Sequence, residues 1–271
     1  MKIAFIGGGN MAAAIIGGLI KHGVAPTDLY AIDPNEEARK RNEQQFGIRT
    51  GAAADAALGP FDAIVLAVKP QVLKAVAEGL APYLGATQVV ISIVAGIRTA
   101  DMSRWLNGHQ RIVRVMPNTP ALIGMGVAGL TATGSVDAAD RELATQVLGA
   151  VGGTVWFDDE AKIDAVTAIS GSGPAYVFYF IEALQEAARQ LGMDEAQSRA
   201  LAVATFTGAA QLAAQSDEPP GVLRERVTSK GGTTAAALAS FDASGIKDAI
   251  VRGVLAADAR AKEMGDEFGK H

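Results

Sequence analysis

Short apolar runs alternate with helical segments through the first half of the chain. The first run, residues 2–6, is followed by three glycines and a segment of helical composition over residues 10–22. Later apolar runs occupy Leu29–Ile32, Ala63–Val68, Gln88–Ile93 and Arg111–Val115. Strands that are apolar on both faces and separated by helices indicate a parallel sheet covered on both sides. The pattern predicts a doubly wound, mostly parallel α/β domain over residues 1–160.

The pattern changes near residue 160, after which strand signals disappear. Ala-rich helical segments follow at Ala175–Leu191, Glu195–Gln215, Thr233–Ser240 and Ile246–Met264. Two long stretches, Ala165–Ile181 and Ala200–Ser216, carry no charge, and a helix that is apolar all round must be buried on every side. A domain of about 110 residues has little interior for several such helices. Residues 161–271 are therefore predicted to form an all-α domain that a second copy of the chain covers.

The amino-acid composition excludes several classes of function. The 271 residues include no cysteine, which excludes a disulfide framework, a thiol nucleophile and a thiolate metal site. Lys plus Arg number 24 against 29 Asp plus Glu, so the net charge of −5 provides no basic field for nucleic acid. The uncharged run Ile3–Ile20 also fits a signal peptide or membrane span, but Gly7–Asn10 interrupts it. We expect a cytoplasmic protein that binds neither membranes nor nucleic acid.

The first turn of the chain has the pattern G-x-G-x-x-A between a strand and a helix. Gly7 permits the tight turn, Gly9 lets the backbone approach a pyrophosphate, and Ala12 allows close packing of helix on strand. The N-terminus of the helix offers free N–H groups to phosphates. A glycine turn that binds nothing is the alternative. The candidate cofactor-binding residues of this turn are Ile6, Gly7, Gly8, Gly9, Asn10, Met11 and Ala12.

Asp33 lies 21 residues after Ala12, at the end of the second predicted strand. An acidic residue there accepts a hydrogen bond from a ribose 2′-hydroxyl, which favours NAD. Equally, Asp33 could be the N-cap of a helix that runs through Phe46. Residues just beyond could meet a 2′-phosphate instead: Asn35, Arg39, Lys40 and Arg41. We favour NADPH, and NADH stays open.

The inventory of catalytic side chains is short. His22, His109 and His271 are widely spaced and form no metal or triad arrangement, and we expect His22 and His109 on the solvated surface. No hydrolase elbow, zinc-protease motif or P-loop occurs in the sequence. Hydride transfer to a reactive electrophile needs little acid–base machinery from the protein. The inventory therefore favours a nicotinamide reductase with no metal.

Four further stretches are candidates for ligand contacts. Ala67–Gln71 covers the end of the predicted strand Ala63–Val68, at the carboxyl edge of the sheet, where ligands bind in this architecture. Arg114–Pro120 is a rigid turn in which Asn118 offers a donor and an acceptor, and Ser170–Pro174 is interpreted as the start of a helix. Thr228–Leu238 predicts a nest of free N–H groups that suits a small carboxylate. Structural turns and an ordinary capped helix are the alternatives for these stretches.

Together these motifs resemble the pyrroline-5-carboxylate reductase family. The resemblance rests on residues 7–12, 67–71, 116–120 and 170–176, and on Pro220–Asp242, and it extends from residue 1 to about 265. It implies an N-terminal Rossmann domain and a helical domain that interleaves with a partner's. It also implies a homodimer that assembles further, as far as a decamer. Lys230 departs from the family's pattern, because a proline usually stands between the serine and the two glycines.

The activity implied by the resemblance is NAD(P)H-dependent reduction of 1-pyrroline-5-carboxylate to L-proline, the last step of proline biosynthesis. The implied catalytic residues are Thr167 near the ring nitrogen, and Ser229, Thr233 and Thr234 at the substrate carboxylate. The candidate substrate-binding residues are Gly231, Gly232, Asn118 and either Asp217 or Glu218, of which one would contact the ring nitrogen. The cofactor set also includes Asp33, Asn35, Ala67, Val68, Lys69, Pro70, Gln71, Ala95 and Gly96.

Two rival functions differ from this one. A β-hydroxyacid dehydrogenase or another imine reductase would use the same fold, but hydroxyacid enzymes place a lysine after the domain junction. No lysine occurs here between Lys162 and Lys230. A non-catalytic nucleotide-binding protein would not need both an intact glycine turn and an intact Gly231–Thr234 nest. Cofactor binding without turnover would identify that second rival.

Overall fold

The computed structural model describes residues 1–269, which divide into two compact units. The sheet unit comprises Met1–Ser172 together with the chain from Ala257 onward, and the helical unit comprises Gly173–Ala256. The last helix therefore begins in one unit and ends in the other. The domain boundary near residue 160 stays a prediction.

The sheet unit contains an eight-stranded sheet with the order β3-β2-β1-β4-β5-β6-β7-β8. Its strands are β1 (Ile3–Ile6), β2 (Leu29–Ile32), β3 (Arg49–Gly51), β4 (Ala63–Leu66), β5 (Val89–Ser92), β6 (Ile112–Met116), β7 (Gly126–Ala132) and β8 (Gly152–Trp156). All neighbouring strands are parallel except β6 and β7. The predicted doubly wound fold is confirmed.

Helices cover both faces of this sheet. They are α1 (Asn10–Lys21), α2 (Glu36–Phe46), α3 (Pro70–Leu80), α4 (Thr99–Trp105), α5 (Ala138–Gly149) and α6 (Lys162–Val166). Successive side chains of a strand point to opposite faces, so Ile3 and Phe5 of β1 join one buried apolar cluster while Ala4 and Ile6 join the other. The sheet therefore has a buried apolar layer on each of its two faces.

Strands β3, β7 and β8 were absent from the sequence prediction. The central strands β1, β2, β4 and β5 are buried along their whole length, which gives the apolar runs that identify them. In contrast, β3 and β8 lie at the two ends of the sheet and are partly exposed, and β7 begins and ends on half-buried residues. Peripheral strands need fewer apolar residues, so their sequences resemble turns.

The helical unit consists of α-helices joined by short turns. Its helices are α7 (Gly173–Gln190), α8 (Glu195–Ala214), α9 (Pro220–Arg226), α10 (Thr233–Ala243) and the first part of α11 (Ile246–Gly269). The predicted all-helical character is confirmed, although α9 was not predicted. No residue of α7, α9 or α10 is fully buried. Among residues 1–269, no helix is both long enough and apolar enough to cross a membrane.

Candidate functional site

The glycine turn joins β1 to α1 at the carboxyl edge of the sheet. The Gly7 N–H donates to the Ile32 carbonyl at 2.7 Å, and Gly7 has a φ of +104°. A Cβ at Gly7 would lie 2.6 Å from the Ala67 carbonyl oxygen, whereas a Cβ at Gly9 would meet nothing within 4 Å. The two glycines thus have different roles. Gly7 is required by the fold, and Gly9 keeps open the space in front of α1.

The N-terminus of α1 faces this turn without a side-chain cap. Gly9 is the N-cap residue, and no acidic residue occupies the first turn. The first N–H groups of a helix have no intrahelical acceptor and carry partial positive charge. Such an N-terminus fits an anionic group such as a pyrophosphate.

Asp33 is not the N-cap of α2, contrary to one of the two sequence interpretations. The cap is Asn35, whose Oδ1 accepts from the Ala38 N–H at 3.0 Å. The Asp33 carboxylate instead accepts from the Gly8 N–H at 2.7 Å and from the Asn35 N–H at 2.8 Å. It therefore fixes the glycine turn to the end of β2. Each carboxylate oxygen keeps a lone pair for a further donor.

Three basic side chains of α2 differ in what they contact. The Arg39 guanidinium donates to the carbonyls of Asp33 and Pro34 at 2.8 and 2.9 Å. The Arg41 guanidinium donates to the Gly8 carbonyl at 2.9 Å. Lys40 pairs with Glu36 at 2.6 Å on the exposed side of the helix. Arg39 thus lies beside the end of β2, while Lys40 is engaged within its own helix.

A groove of about 570 Å³ follows the carboxyl edge of the sheet. Seven predicted cofactor residues line it: Ile6, Gly7, Gly9, Asp33, Ala67, Val68 and Lys69. One side of the groove is an apolar wall that no sequence motif predicted, formed by Ala52, Ala53, Ala54, Val72, Ala75, Val76, Leu80 and Tyr83. Ala52–Ala54 follow the unrecognised strand β3, and the others lie on α3 and just beyond it. A phosphate-binding turn beside an apolar wall fits a dinucleotide.

The remaining predicted cofactor residues do not line the groove. Ala12 is a buried residue of α1, and Pro70 begins α3. Gly96, with a φ of +74°, turns the chain after β5 and is buried beneath the α11 side chains of Met264 and Phe268. The end of α11 is held there by an ion pair of 2.7 Å between Arg98 and Asp266. No pattern in the sequence predicted the contact between the end of α11 and Gly96.

Thr167 lies in a π-helical turn, Thr167–Gly171, that directly continues α6. Its hydroxyl donates to the Ile163 carbonyl at 2.9 Å, and the Ser172 N–H closes the turn by donating to the Thr167 carbonyl at 2.8 Å. The predicted helix start within Ser170–Pro174 is confirmed, since α7 begins at Gly173 with Pro174 in its first turn, but the π turn directly precedes it. Inserted π turns of this kind occur frequently at functional sites.

Asn118 follows β6 and is buried. Its Nδ2 donates to the Ser170 carbonyl at 3.1 Å, and its Oδ1 accepts from the Val127 N–H at 2.9 Å. Both ends of the amide are thus engaged by backbone groups of the sheet unit. Asn118 connects the π turn to the start of β7.

The predicted carboxylate nest lies in the helical unit, between α9 and α10. Gly231 has a φ of +74°, and the Gly232 N–H donates to the Ser229 carbonyl at 3.0 Å. Gly232 is the N-cap of α10, which has no acidic residue in its first turn. Ser229, Gly231, Gly232, Thr233 and Thr234 therefore surround one helix N-terminus. A Cβ at Gly232 would collide with the Ser229 hydroxyl, so a larger residue there would displace that hydroxyl from the nest.

The two candidate acidic residues of the helical unit differ in their contacts. The Glu218 carboxylate pairs with the Arg226 guanidinium at 2.5 Å, and Glu218 is half-buried. Asp217 is exposed and forms no ion pair among the described residues. Asp217 thus keeps its carboxylate available to a ligand.

The two histidines within the described residues, His22 and His109, differ in their exposure. No group of three or more His, Cys, Asp or Glu side chains within residues 1–269 could hold a metal ion. His22 is exposed as expected, but His109 is half-buried, contrary to expectation, with Nε2 3.0 Å from the Gln88 carbonyl. Burial lowers the pKa of His109 below its ordinary value. His271 lies outside the described residues.

Comparisons with known proteins match both parts of the chain. The family described as pyrroline-5-carboxylate reductase dimerisation matches residues 160–264, and the family described as NADP oxidoreductase coenzyme F420-dependent matches residues 2–96. A pyrroline-5-carboxylate reductase of Pseudomonas aeruginosa is 45% identical over 99% of this chain and 98% of its own length.

Solved structures of similar proteins agree with that match. A pyrroline-5-carboxylate reductase from Coxiella burnetii has a TM-score of 0.91 at 38% identity, covering 97% of this chain and 98% of that one. A Plasmodium falciparum pyrroline carboxylate reductase with NADP bound has a TM-score of 0.85 at 29% identity and covers 98% of both chains.

Proposed function

The chain belongs to the pyrroline-5-carboxylate reductase family, and from this premise we propose which of its residues serve the reaction. The protein is an oxidoreductase that reduces 1-pyrroline-5-carboxylate to L-proline with a nicotinamide cofactor. The observation that carries this conclusion is the 45% identity to a reductase of that name over 99% of the chain. The glycine turn and the Gly231–Thr234 nest agree with it, because the reaction needs a dinucleotide site and a carboxylate site.

The cofactor of our proposal is NADPH. Its pyrophosphate binds at the N-terminus of α1 in front of Gly9, and the apolar wall of the groove receives the adenine. Asn35 and Arg39 meet the 2′-phosphate, and Val68 and Lys69 flank the nicotinamide half. Arg39 is held by two carbonyls at the end of β2, which supports its assignment over Lys40. When bound, the cofactor supplies the hydride.

The preference for NADPH is tested with Arg39→Ala and the matched control Lys40→Ala. A charge-assisted hydrogen bond contributes roughly 1.5–3 kcal/mol, so we expect kcat/KM for NADPH to fall by about 10-fold or more in Arg39→Ala. The value for NADH should stay within about twofold, and Lys40→Ala should change neither. Equal losses for both cofactors in Arg39→Ala would contradict the assignment of Arg39.

The substrate carboxylate binds in the nest of the helical unit. Unpaired N–H groups at the start of α10, together with the hydroxyls of Ser229, Thr233 and Thr234, donate to its two oxygens. Gly231 and Gly232 contribute backbone that side chains would obstruct. The absence of an acidic residue in the first turn of α10 supports this role, because a carboxylate there would repel the substrate.

The ring nitrogen is assigned to Thr167 and Asp217. A cyclic imine becomes strongly electrophilic when its nitrogen is protonated, and a carboxylate nearby favours the protonated form. Glu218 is engaged by Arg226, so Asp217 is the acidic residue that we select. The Thr167 hydroxyl supplies or relays one proton to the nitrogen, and the cofactor's hydride goes to the ring carbon. The chain mainly binds and orients the ring, so that most of the catalysis is positioning.

The assembly proposed is a homodimer formed through the helical unit, with further association to a decamer, located in the cytoplasm. The dimerisation family match over residues 160–264 and the exposed apolar side chains of the helical unit support association.

The activity is tested by following loss of nicotinamide absorbance after 1-pyrroline-5-carboxylate is added, with NADPH and NADH in parallel. Rapid oxidation identifies the reaction, and the ratio of kcat/KM values identifies the preferred cofactor. Binding of NADPH to folded protein without oxidation would instead support the non-catalytic rival. Oxidation with other cyclic imines but not with this substrate would support a different imine reductase.

A further inference from the structure

Alternate side chains of β6 and of the extended residues just after it contact the segment that carries Thr167. Side chains at positions i, i+2 and i+4 of an extended chain share one face. Arg114, Met116 and Asn118 are related in this way, and each contacts a different part of residues 160–171. One stretch of extended backbone thus holds this segment at three points.

Arg114 makes the first contact, through a buried ion-pair cluster. Its side chain is 2% exposed, and its guanidinium nitrogens lie 2.8 Å from Asp164 Oδ1 and 3.2 Å from Glu160 Oε1. Glu160 also accepts from the N–H and hydroxyl of Thr99 at 2.7 and 2.8 Å. Asp164 lies three residues before Thr167, so the start of α6 is tied to both β6 and α4.

Met116 and Asn118 make the second and third contacts, at the π turn itself. A Cβ at Gly171 would lie 2.5 Å from Met116 Cε, so the backbone of the turn is packed directly on that side chain. Asn118 donates to the carbonyl of Ser170, within the turn, and accepts from the Val127 N–H. Both amide atoms are committed to backbone partners, which leaves the amide poorly suited to direct substrate binding.

We propose that Arg114 and Asn118 are positioning residues that fix the π turn and thereby aim the Thr167 hydroxyl at the substrate nitrogen. This inference rests on the proposed role of Thr167. Asn118 then acts through Thr167 rather than by touching the substrate. Because misplacement of a catalytic group by about 1 Å can cost ~100-fold in rate, a loosened turn should lower kcat more than it weakens binding.

Asn118→Asp separates the two hydrogen bonds of the amide. The aspartate keeps an acceptor for the Val127 N–H but loses the donor to the Ser170 carbonyl. We expect kcat to fall by about 10- to 100-fold, with KM for NADPH and for 1-pyrroline-5-carboxylate within about twofold of the original values. A raised KM for the imine with kcat preserved would put Asn118 in direct contact with substrate and overturn the proposal.

A double-mutant cycle with Thr167→Val tests whether Asn118 acts through Thr167. Residues that act as a unit are strongly non-additive, so Asn118→Asp should cause less than about a twofold further loss of kcat in the Thr167→Val background. Additive losses would overturn the proposal while leaving the proposed function intact. Wild-type protein that fails to oxidise NADPH with the imine would overturn the proposed function instead.

Gln88→Glu is the matched control for a merely structural effect. Gln88 is also a buried amide; its Nε2 donates to the carbonyls of Leu58 and Phe61 at 2.8 Å, and its Oε1 accepts from the Gly85 N–H at 2.7 Å. It precedes β5 and so lies at the opposite edge of the sheet from the π turn. The variant should lower Tm as Asn118→Asp does but leave kcat unchanged. An equal loss of kcat in both variants would show that destabilisation alone explains the effect.

Discussion

The sheet unit and the helical unit use their apolar residues in opposite ways. Phe5, Ile64 and Ile91 of the sheet unit are completely buried within the chain. In the helical unit, Tyr179 and Leu191 are 70% and 78% exposed, and Phe241 is 51% exposed. The first unit buries a large apolar core within the chain, although Leu122, Ile123 and Met125 stay exposed, whereas the second exposes most of its large apolar side chains.

This difference separates two contributions to function. Burial of apolar surface stabilises by roughly 25 cal/mol per Å², so a unit with a complete core can hold the cofactor groove in place without assistance. Exposed apolar helices gain that energy only by association. The carboxylate nest lies between two of those helices. We therefore expect cofactor binding to be independent of assembly and substrate turnover to depend on it.

The largest effect is expected when association is broken. Leu201 and Leu212 lie eleven residues apart on one side of α8 and are 56% and 58% exposed. Replacing both by glutamate places charges on that side, so light scattering should report a monomer. We expect kcat/KM to fall by at least about 100-fold while the Kd for NADPH changes by less than about threefold.

Val155→Glu provides the control for this experiment, because Val155 is an exposed apolar residue of strand β8 in the sheet unit. It should leave assembly and activity unchanged. If the Leu201/Leu212 double variant is an active monomer, substrate turnover does not depend on assembly, which contradicts the difference argued for the two units.

The second effect concerns the sheet unit alone. Gly9→Val should raise KM for NADPH by ~100-fold by obstructing the pyrophosphate, with Tm unchanged because an added Cβ meets nothing. Gly7→Val should instead lower Tm, since its Cβ would lie against the Ala67 carbonyl at a positive φ. Calorimetry and steady-state kinetics separate the two variants, and a large drop in Tm for Gly9→Val would contradict its role.

The third effect concerns the helical unit. Thr234→Val keeps the shape of the side chain and removes its hydroxyl from the nest. We expect KM for 1-pyrroline-5-carboxylate to rise by ~10-fold and KM for NADPH to stay within about twofold. Thr234→Ser should restore the original KM. Equal increases for both ligands would show that the nest does not serve the substrate carboxylate alone.

The smallest effect concerns the pH dependence of the sheet unit's stability. Burial lowers the pKa of His109 below its ordinary value of 6.5, despite hydrogen bonds to the Gln88 and Arg111 backbone that raise it. The unfolded chain then binds the His109 proton more tightly than the folded chain does. The contribution of neutral His109 to stability is therefore complete above pH 6.5 and decreases as the pH falls below it. His109→Gln should reduce the difference in Tm between pH 7.5 and pH 5.5. If the difference in Tm between the two pH values is the same in His109→Gln as in the wild type, His109 is not the source of the pH dependence.

Much of the fold could be predicted because its central strands are buried on both faces. Apolar runs identified β1, β2, β4, β5 and β6 with small shifts at their ends. The glycine turn was predictable for a related reason, since backbone geometry there restricts the residue type. Strands β3 and β8 were missed because peripheral position relaxes that restriction.

The roles of single polar residues were harder to predict. Asp33 had two chemically reasonable partners in the sequence, and Asn35 proved to cap α2 while Asp33 fixes the glycine turn. Asn118 had an amide suited to a ligand, yet its partners are Ser170 and Val127, distant in sequence. Hydrogen-bond partners of this kind depend on how strands and helices meet in space.

The sequence by itself determined the central strands, the dinucleotide turn and the family, because these depend on local residue patterns. Only the tertiary structure decided that Arg114 of β6 holds the start of α6 and that Asn118, just after β6, holds the π turn. It also decided that the end of α11 returns to cover Gly96. Those contacts join residues about 50 to 170 positions apart. Their energy is gained only when the whole sheet unit is formed, so no local pattern in the sequence encodes them.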